Sequence, residues 1–545
     1  MWMMLILLAL AMFCAYPLGK YLAAIMRAEK MPIDGLFYVV EQPIYRLLGI
    51  NPQQRMTVSQ YIACFGSSCV ALGVLVWLIL MNQAILPFNP DHIGNMSWDL
   101  ALHTMISFLT NTNQQHYAGQ LQLSYFSQMT AIVALQVITP MMGLAMLVAT
   151  LRALFPQSMP SLQQDMPQDP AHTRLSATSS MQQPSKTVQQ SLTVGNFWAD
   201  VIRPSFRFLL PLCLLWSLLL NSQGVPATLA AGPVYQVLDP HAEVQQQKLP
   251  LGPVAPLVAI KQLGSNGGGW YGSNSAVPLE NPTPLSNAME MFAIILIPMA
   301  VLWMVGFFTR RMKLSYFMLG CMLLLSISSG LVLLLTEAKF GIDGVQIASL
   351  MEGKEQRLGW TDSALWAAFT TQVNNGSVNM MHDSAAPLSI LMTLLNMLLN
   401  CIWGGIGSGV MQFLVYLWLA VFIAGLMTGR TPEVFGRKLE ATEIKYLAIL
   451  IVLQPAVVLG LTAITLAFPL SLGGLSQGSS TASFHDLSRV LYEYSAAYAN
   501  NGSGLEGLAD NSIWWNVSCG LALLLGRFPT LIIPLWIAAR LSLSG

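Results

Sequence analysis

Nine apolar stretches, each about as long as a bilayer-crossing helix needs at roughly 20 residues, divide this chain: 2–25, 59–81, 124–155, 205–221, 287–308, 314–336, 387–428, 445–471 and 513–538. Only 9% of its 545 residues are charged, against roughly 25% in soluble domains, so most of the chain belongs in a bilayer. The formal net charge is zero, which gives no basic surface for a nucleic acid. Seven cysteines (Cys14, Cys64, Cys69, Cys213, Cys321, Cys401 and Cys519) are scattered through apolar stretches without metal-type spacing or a secreted-style framework. Residues 1–19 lack a basic leader and a small-residue cleavage site, so they read as a retained span rather than a signal peptide.

Basic residues fix the expected orientation. With the N-terminus outside, 18 of the 25 Lys and Arg residues fall in cytoplasmic connections and six outside, and Arg527 lies within the last span. The C-terminus is then cytoplasmic.

Four of the outside connections carry a second, shorter apolar helix that stops at a polar turn. The first helix, 97–109, stops at Asn111-Thr112-Asn113, and the second, 254–263, at Gly264-Ser265-Asn266-Gly267-Gly268-Gly269. The third, 361–372, stops at Asn374-Asn375-Gly376-Ser377, and the fourth, 486–499, at Asn500-Asn501-Gly502-Ser503. Ser97, Asp362 or Ser363, and Asp486 are the expected caps. Irregular backbone at membrane depth is tolerated where protein or water satisfies it, and its carbonyls can then replace a cation's hydration shell. Each short helix directs its negative dipole end at the turn, which favours a cation there. Taken singly, such a turn is an ordinary loop with Asn and Gly chemistry; four in register suggest a pseudo-fourfold pore around one axis. Asn111, Thr112, Asn113, Ser265, Asn266, Gly267, Gly268, Asn374, Asn375, Gly376, Asn500, Asn501, Gly502 and Ser503 are the expected potassium filter.

The stretch 387–428 would form a helix twice as long as the bilayer core, so a break is required at Gly404-Gly405-Ile406-Gly407-Ser408-Gly409. Gly404, Gly405, Gly407 and Gly409 could lay backbone across a permeation path as a gate, or could serve close helix packing. Arg527 could brace pore-loop carbonyls or block the exit of cations. Residues 156–194, rich in Gln, Ser, Pro and Met, read as a disordered cytoplasmic insert. His382-Asp383 and His485-Asp486 fit caps and outer-face hydrogen bonds better than catalysis. The expected division is 1–58 (N-terminal span and loop), 59–155 (first unit), the insert, 195–312 (second unit), 313–444 (third unit, with the broken helix) and 445–545 (fourth unit).

The turns above, together with Asn281-Pro282-Thr283, Met381-His382-Asp383-Ser384 and the run Ala424 to Glu433, resemble the potassium-binding A-subunit family, KdpA, of the bacterial Kdp potassium pump. The resemblance covers nearly the whole chain. It implies an all-α integral membrane fold of the potassium-channel superfamily, with four membrane-pore-membrane units plus an N-terminal span. It implies a multi-pass protein of the bacterial inner membrane that selects external potassium and passes it through an intramembrane tunnel. The implied partners are a KdpB-like P-type ATPase subunit and KdpC-like and KdpF-like small subunits. On this reading the chain binds no cofactor: potassium is its substrate, the partner uses ATP and magnesium, and the chain itself is not an enzyme. It carries neither a GxxxxGK[ST] loop nor an Asp-Lys-Thr-Gly motif. The sequence departs from the family pattern in Asn375, where a Cys is expected before the glycine, in Asn400, where an acidic residue often stands, and in ending soon after a ninth span where a tenth is usual. A stand-alone Trk- or Ktr-like potassium channel shares the fourfold pattern and is the alternative. A secondary transporter with inverted repeats fits less well, since these repeats keep one orientation.

Overall fold

The computed structural model describes residues 1–156, 192–342, 351–354, 356–476 and 478–544. In chain order the principal helices are α1 (Trp2–Met26), α2 (Asp34–Leu48), α3 (Val58–Met81), α4 (Trp98–Leu109), α5 (Ser127–Leu154), α6 (Phe197–Ser222), α7 (Val254–Leu263) and α8 (Pro284–Thr309). They continue as α9 (Met312–Ile342), α10 (Gly359–Gln372), α11 (Pro387–Leu399), α12 (Ser408–Thr428), α13 (Ala441–Ala467), α14 (Phe484–Tyr498) and α15 (Ile513–Ser544). Among the described residues nine helices are long and apolar enough to cross a bilayer: α1, α3, α5, α6, α8, α9, α12, α13 and α15. The short helices α4, α7, α10 and α14 each sit between two of these spans, as the fourfold pattern requires.

Burial separates inner from outer spans. The helices α5 and α8, which follow the first and second turns, are almost wholly enclosed by protein, whereas α3 and α13 leave most of their apolar surface outside the protein. Hydropathy alone does not distinguish the two classes, because lipid and protein interior are both apolar. The N-terminal span α1 packs along α8, and Gly19 makes that approach possible: a Cβ there would lie 2.5 Å from the Trp303 Cβ and 2.6 Å from the Ala300 carbonyl oxygen.

Capping residues set several helix starts. Thr57 and Gln60 form a reciprocal capping box at α3, and Thr283 and Ser286 do so at α8, where Pro284 occupies the first helical position. At α14 the cap is Ser483, with Asp486 in the third helical position returning the bond; the expected cap Asp486 is thus one turn inside the helix. The helix α10 likewise starts at Gly359, so Asp362 and Ser363 lie in its first turns rather than at its cap. The fourth span also begins earlier than expected, at Phe197, because the Asn196 side chain caps it by accepting from Ala199 N–H at 3.1 Å. A wide-turn segment, Ser205–Leu209, then carries the helix past Pro204.

The expected disordered insert is corrected at its end. Thr193–Gly195 forms a strand, β2, paired antiparallel with β1 (Met56–Thr57), and Val194 is buried. Arg152 holds this end in place: it donates to the Val194 carbonyl at 2.9 Å and pairs with Asp200, to which Tyr61 also donates at 2.8 Å. The rest of the insert, 157–191, lies outside the described residues.

Candidate functional site

Each short helix is followed by a turn that contains left-handed backbone. Positive φ occurs at Asn111 (58°) and Asn113 (55°), at Ser265 (51°), Gly267 (64°) and Gly268 (73°), at Gly376 (84°), and at Asn500 (55°) and Gly502 (93°). In the first, second and fourth turns the left-handed residues flank a residue of ordinary φ, an alternation that can bring successive carbonyls to one side of the chain. In the third turn only Gly376 is left-handed.

The four turns form a closed ring. A Cβ on Gly267 would meet the Asn375 carbonyl oxygen at 1.8 Å, one on Gly376 the Asn501 carbonyl oxygen at 1.9 Å, and one on Gly502 the Thr112 carbonyl oxygen at 2.4 Å. The second turn therefore abuts the third, the third the fourth, and the fourth the first. Asn113 closes the circuit by donating Nδ2–H to the Gly267 carbonyl at 2.6 Å.

Asn carboxamides fasten each turn to a neighbour. Asn375 donates to the Lys261 carbonyl at 3.0 Å, Asn501 to the Thr370 and Val373 carbonyls at 2.7 and 3.1 Å, and Asn500 to Thr112 Oγ1 at 3.0 Å. Asn111 lies 3.4 Å from the Ser265 carbonyl and accepts from Thr139, and Asn266 donates to the Gln136 carbonyl at 2.8 Å. The Asn375 and Asn501 side chains also accept from the N–H of Ser377 and Ser503 at 3.0 and 3.2 Å, the local turn chemistry of an Asx motif. The Asn501 bond to the Thr370 carbonyl satisfies one of the carbonyls that the end of α10 leaves without a helical partner.

A buried charge cluster supports the second turn from behind. Lys261 is paired with Glu280 at 2.8 Å and donates to Ser275, which in turn donates to Glu290; none of the three charged side chains is exposed. Gln262 donates to Glu290 at 3.2 Å and accepts from Asn375 and Ser377 at 3.1 Å each, so the cluster reaches the third turn as well.

Outside the ring lies a cavity of about 380 Å³, lined in part by Asn113, Gly268, Gly376 and Gly502 and by the carboxylates Glu493, Glu506 and Asp510. Burial pushes the Glu506 carboxyl up to about 7, although it accepts the Asp383 N–H at 3.1 Å, which favours the charged form. Asp383 also binds His485 at 2.6 Å and Arg489 at 2.6 Å, and His382 pairs with the Tyr492 hydroxyl at 2.9 Å. Both His-Asp pairs are thus engaged in hydrogen bonds and ion pairs with neighbouring side chains.

The helix break packs against the end of α10 and the third turn. Asn400 ends α11 in left-handed conformation, and the loop runs through Gly404 (φ 63°) and Gly407 (φ 82°) before α12 starts. The N–H groups of Trp403 and Gly404 both donate to the Gln372 carbonyl at 3.1 Å, and Gly405 packs against the Asn374 side chain. The loop also touches α5: a Cβ on Gly407 would lie 2.3 Å from the Gly143 carbonyl oxygen. A Cβ on Gly143 would lie 2.7 Å from the Ile406 carbonyl oxygen and 2.8 Å from Arg527 Nη2. Arg527, buried on α15, donates to the Thr139 carbonyl at 3.2 Å. The glycine loop and Arg527 therefore share one location, with Gly143 between them. Gly409 packs against Trp403 and Gly404, which folds the loop tightly on itself.

Residues 5–544 match the KdpA family, described as potassium-transporting ATPase A subunit. The chain belongs to that family. Members similar to it include the potassium-transporting ATPase potassium-binding subunit of Nostoc sp. (strain PCC 7120), 39% identical over 530 residues that cover 96% of this chain and 87% of the relative. The corresponding subunit of Bacteroides thetaiotaomicron is 39% identical over 547 residues, 98% and 89% of the two chains. That of Pseudomonas putida is 38% identical over 533 residues, 96% and 87%. Among solved structures, the potassium transporter TrkH from Vibrio parahaemolyticus superposes with a TM-score of 0.52 at 14% identity, over 97% of this chain and 96% of that one. At that identity the likeness is one of fold alone, that of a multi-pass helical membrane protein.

Several residues of the site carry no signal that a linear reading could use. Gln262 is polar within an apolar helix end, and Gly143 is one small residue among many in α5. His116 and Glu493 stand 377 positions apart yet bond each other at 3.2 Å.

Proposed function

We propose that this chain is the potassium-binding, selectivity-filter subunit of an ATP-driven potassium uptake pump of the bacterial inner membrane. External potassium enters through the carboxylate-lined cavity, sheds water at the carbonyls of the four turns, and moves sideways through an intramembrane tunnel to a P-type ATPase subunit. The observation that carries this reading is the closed ring of turns, fastened by Asn carboxamides and facing the ends of four pore helices. Such a ring of backbone oxygens is what a dehydrated alkali cation requires, and the helix dipoles favour positive charge at its centre.

The chain itself is the non-catalytic member of the pair. The KdpB-like subunit hydrolyses ATP with magnesium, KdpC-like and KdpF-like subunits complete the complex, and potassium is substrate rather than cofactor. The N-terminus faces outward and the C-terminus the cytoplasm, in keeping with the distribution of basic residues.

The glycine loop and Arg527 below the ring favour the pump reading over a stand-alone channel. A straight pore would dissipate the gradient that ATP hydrolysis builds. Two unit charges 4 Å apart repel by about 4 kcal/mol at an effective dielectric of about 20, so a guanidinium beneath the ring opposes inward passage. Co-purification of the tagged chain with a KdpB-like subunit, and potassium-stimulated ATP hydrolysis by the complex, test the proposal. Purification as a self-sufficient channel that conducts potassium without ATP would overturn it.

A further inference from the structure

His116 stands immediately after the first turn, its side chain fully buried where the first unit meets the fourth. Its bonding is determined from the outside inward. Asn516 donates Nδ2–H to Asp99 Oδ2 at 2.9 Å and lies 3.3 Å from Asn511 Oδ1, so its Oδ1 is the atom 2.8 Å from His116 Nδ1. That nitrogen therefore carries hydrogen. The other ring nitrogen, Nε2, faces Glu493 Oε1 at 3.2 Å and the Asp510 carboxylate at 4.0 Å. Gln114 donates to the same Glu493 oxygen at 2.7 Å and lies 3.1 Å from His103 Nε2. The His103 ring stacks on His116 at 3.8 Å and 6°, which fixes the plane of the imidazole.

Cys519 completes the cluster from α15. One ligand atom each from His116, Glu493 and Cys519 lie within 4.8 Å of one another, all three residues buried. We propose that His116, Glu493 and Cys519, with Asp510 as the fourth ligand, form a site for a zinc-class divalent cation beside the outer mouth of the filter. Imidazole nitrogen, carboxylate oxygen and thiolate sulfur are the donors that zinc takes in four-coordinate sites. The Asp99–Asn516–His116 relay is the outer arrangement that orients a metal-binding imidazole. Glu493 and Asp510 line the external cavity, which gives the ion a route from outside. With bonds of about 2.0–2.3 Å, the His116–Glu493–Cys519 core closes by about an ångström at its widest on loading, and the Asp510 carboxylate moves in from the cavity wall. The metal binds the lone pair of Nε2, with the hydrogen kept on Nδ1, and replaces the proton on Sγ, so at least one proton leaves for each ion bound. Loading would tie the segment after the first turn to the helices α14 and α15 of the fourth unit through bonds stronger than the present hydrogen bonds.

Cobalt(II) titration of the purified chain in its native complex tests this, because cobalt occupies zinc sites and reports a thiolate ligand by a near-ultraviolet charge-transfer band. The expected result is one saturable cobalt per chain, displaced by zinc. Cys519→Ser should lose the charge-transfer band with the six other cysteines intact, and His116→Gln should weaken cobalt binding at least tenfold. Asp510→Asn, at a partly exposed carboxylate, provides a variant that keeps the buried core unchanged and should also bind more weakly. Absence of saturable binding to the wild-type chain, or an undiminished band in Cys519→Ser, would overturn the proposal; so would unchanged affinity in Asp510→Asn and His116→Gln together.

Discussion

Asn113 in the first turn donates its side-chain N–H to the carbonyl of Gly267 in the second at 2.6 Å, while Asn500 in the fourth turn reaches Thr112 in the first at 3.0 Å. Side-chain amides thus join the ends of the circuit, and the width of the ring is set by protein rather than by an ion alone. Perturbing these contacts should change ion discrimination before it changes the fold.

Gly267, Gly376 and Gly502 combine positive φ with a neighbouring carbonyl inside the space a Cβ would need. Alanine at any of them forces the ring apart, on top of a backbone cost of about 1–3 kcal/mol. The expected outcome is a rise of about tenfold or more in the potassium concentration for half-maximal ATPase stimulation, with weaker discrimination against rubidium and sodium. Unchanged selectivity in a folded Gly267→Ala or Gly502→Ala complex would refute the ring as the filter.

Lys261 pairs with Glu280 in a buried cluster that Ser275 and Gln262 extend to Glu290. Removing one member of a buried pair typically costs about 3–5 kcal/mol, because the remaining charge is left unpaired. Lys261→Met should therefore lower the thermal midpoint of the complex sharply, and adding Glu280→Gln should recover part of the loss. Equal midpoints for Lys261→Met and wild type would show that the cluster contributes nothing to stability.

Arg527 and the loop from Gly404 to Gly409 meet at Gly143. Arg527→Ala removes the positive charge, and Gly407→Ala collides with the Gly143 carbonyl and displaces the loop. Both variants should raise ATP-independent potassium flux through reconstituted complexes. If both remain tight in a proteoliposome flux assay, these residues only pack the helices.

Glu506 is neutral below and charged above about pH 7, because burial raises its carboxyl to that value. The cavity gains a negative charge as pH rises through this point, so potassium should be captured more readily on the alkaline side. The apparent KM for potassium should fall between about pH 6 and about pH 8, and Glu506→Gln should flatten that part of the profile. A profile identical in wild type and variant would assign the dependence to other groups.

The spans, the four short helices and the polar turns were legible in the sequence because each depends on local properties: apolar length and helix-ending Asn and Gly. The break in the stretch 387–428 was legible for the same reason, since a continuous helix would have been too long for the membrane. Helix starts were less so. Asp362, Ser363 and Asp486 all favour helix N-termini, yet the helices begin earlier, at Gly359 and behind Ser483, where neighbouring residues fix the backbone. The order of turns around the ring, the meeting of Gly143, Gly407 and Arg527, and the contact of His116 with Glu493 arose only in the tertiary structure. These contacts join residues up to 388 positions apart, and they depend on which inner helix packs beside which. Hydropathy cannot encode that choice, because every span is apolar whether its neighbour is lipid or protein.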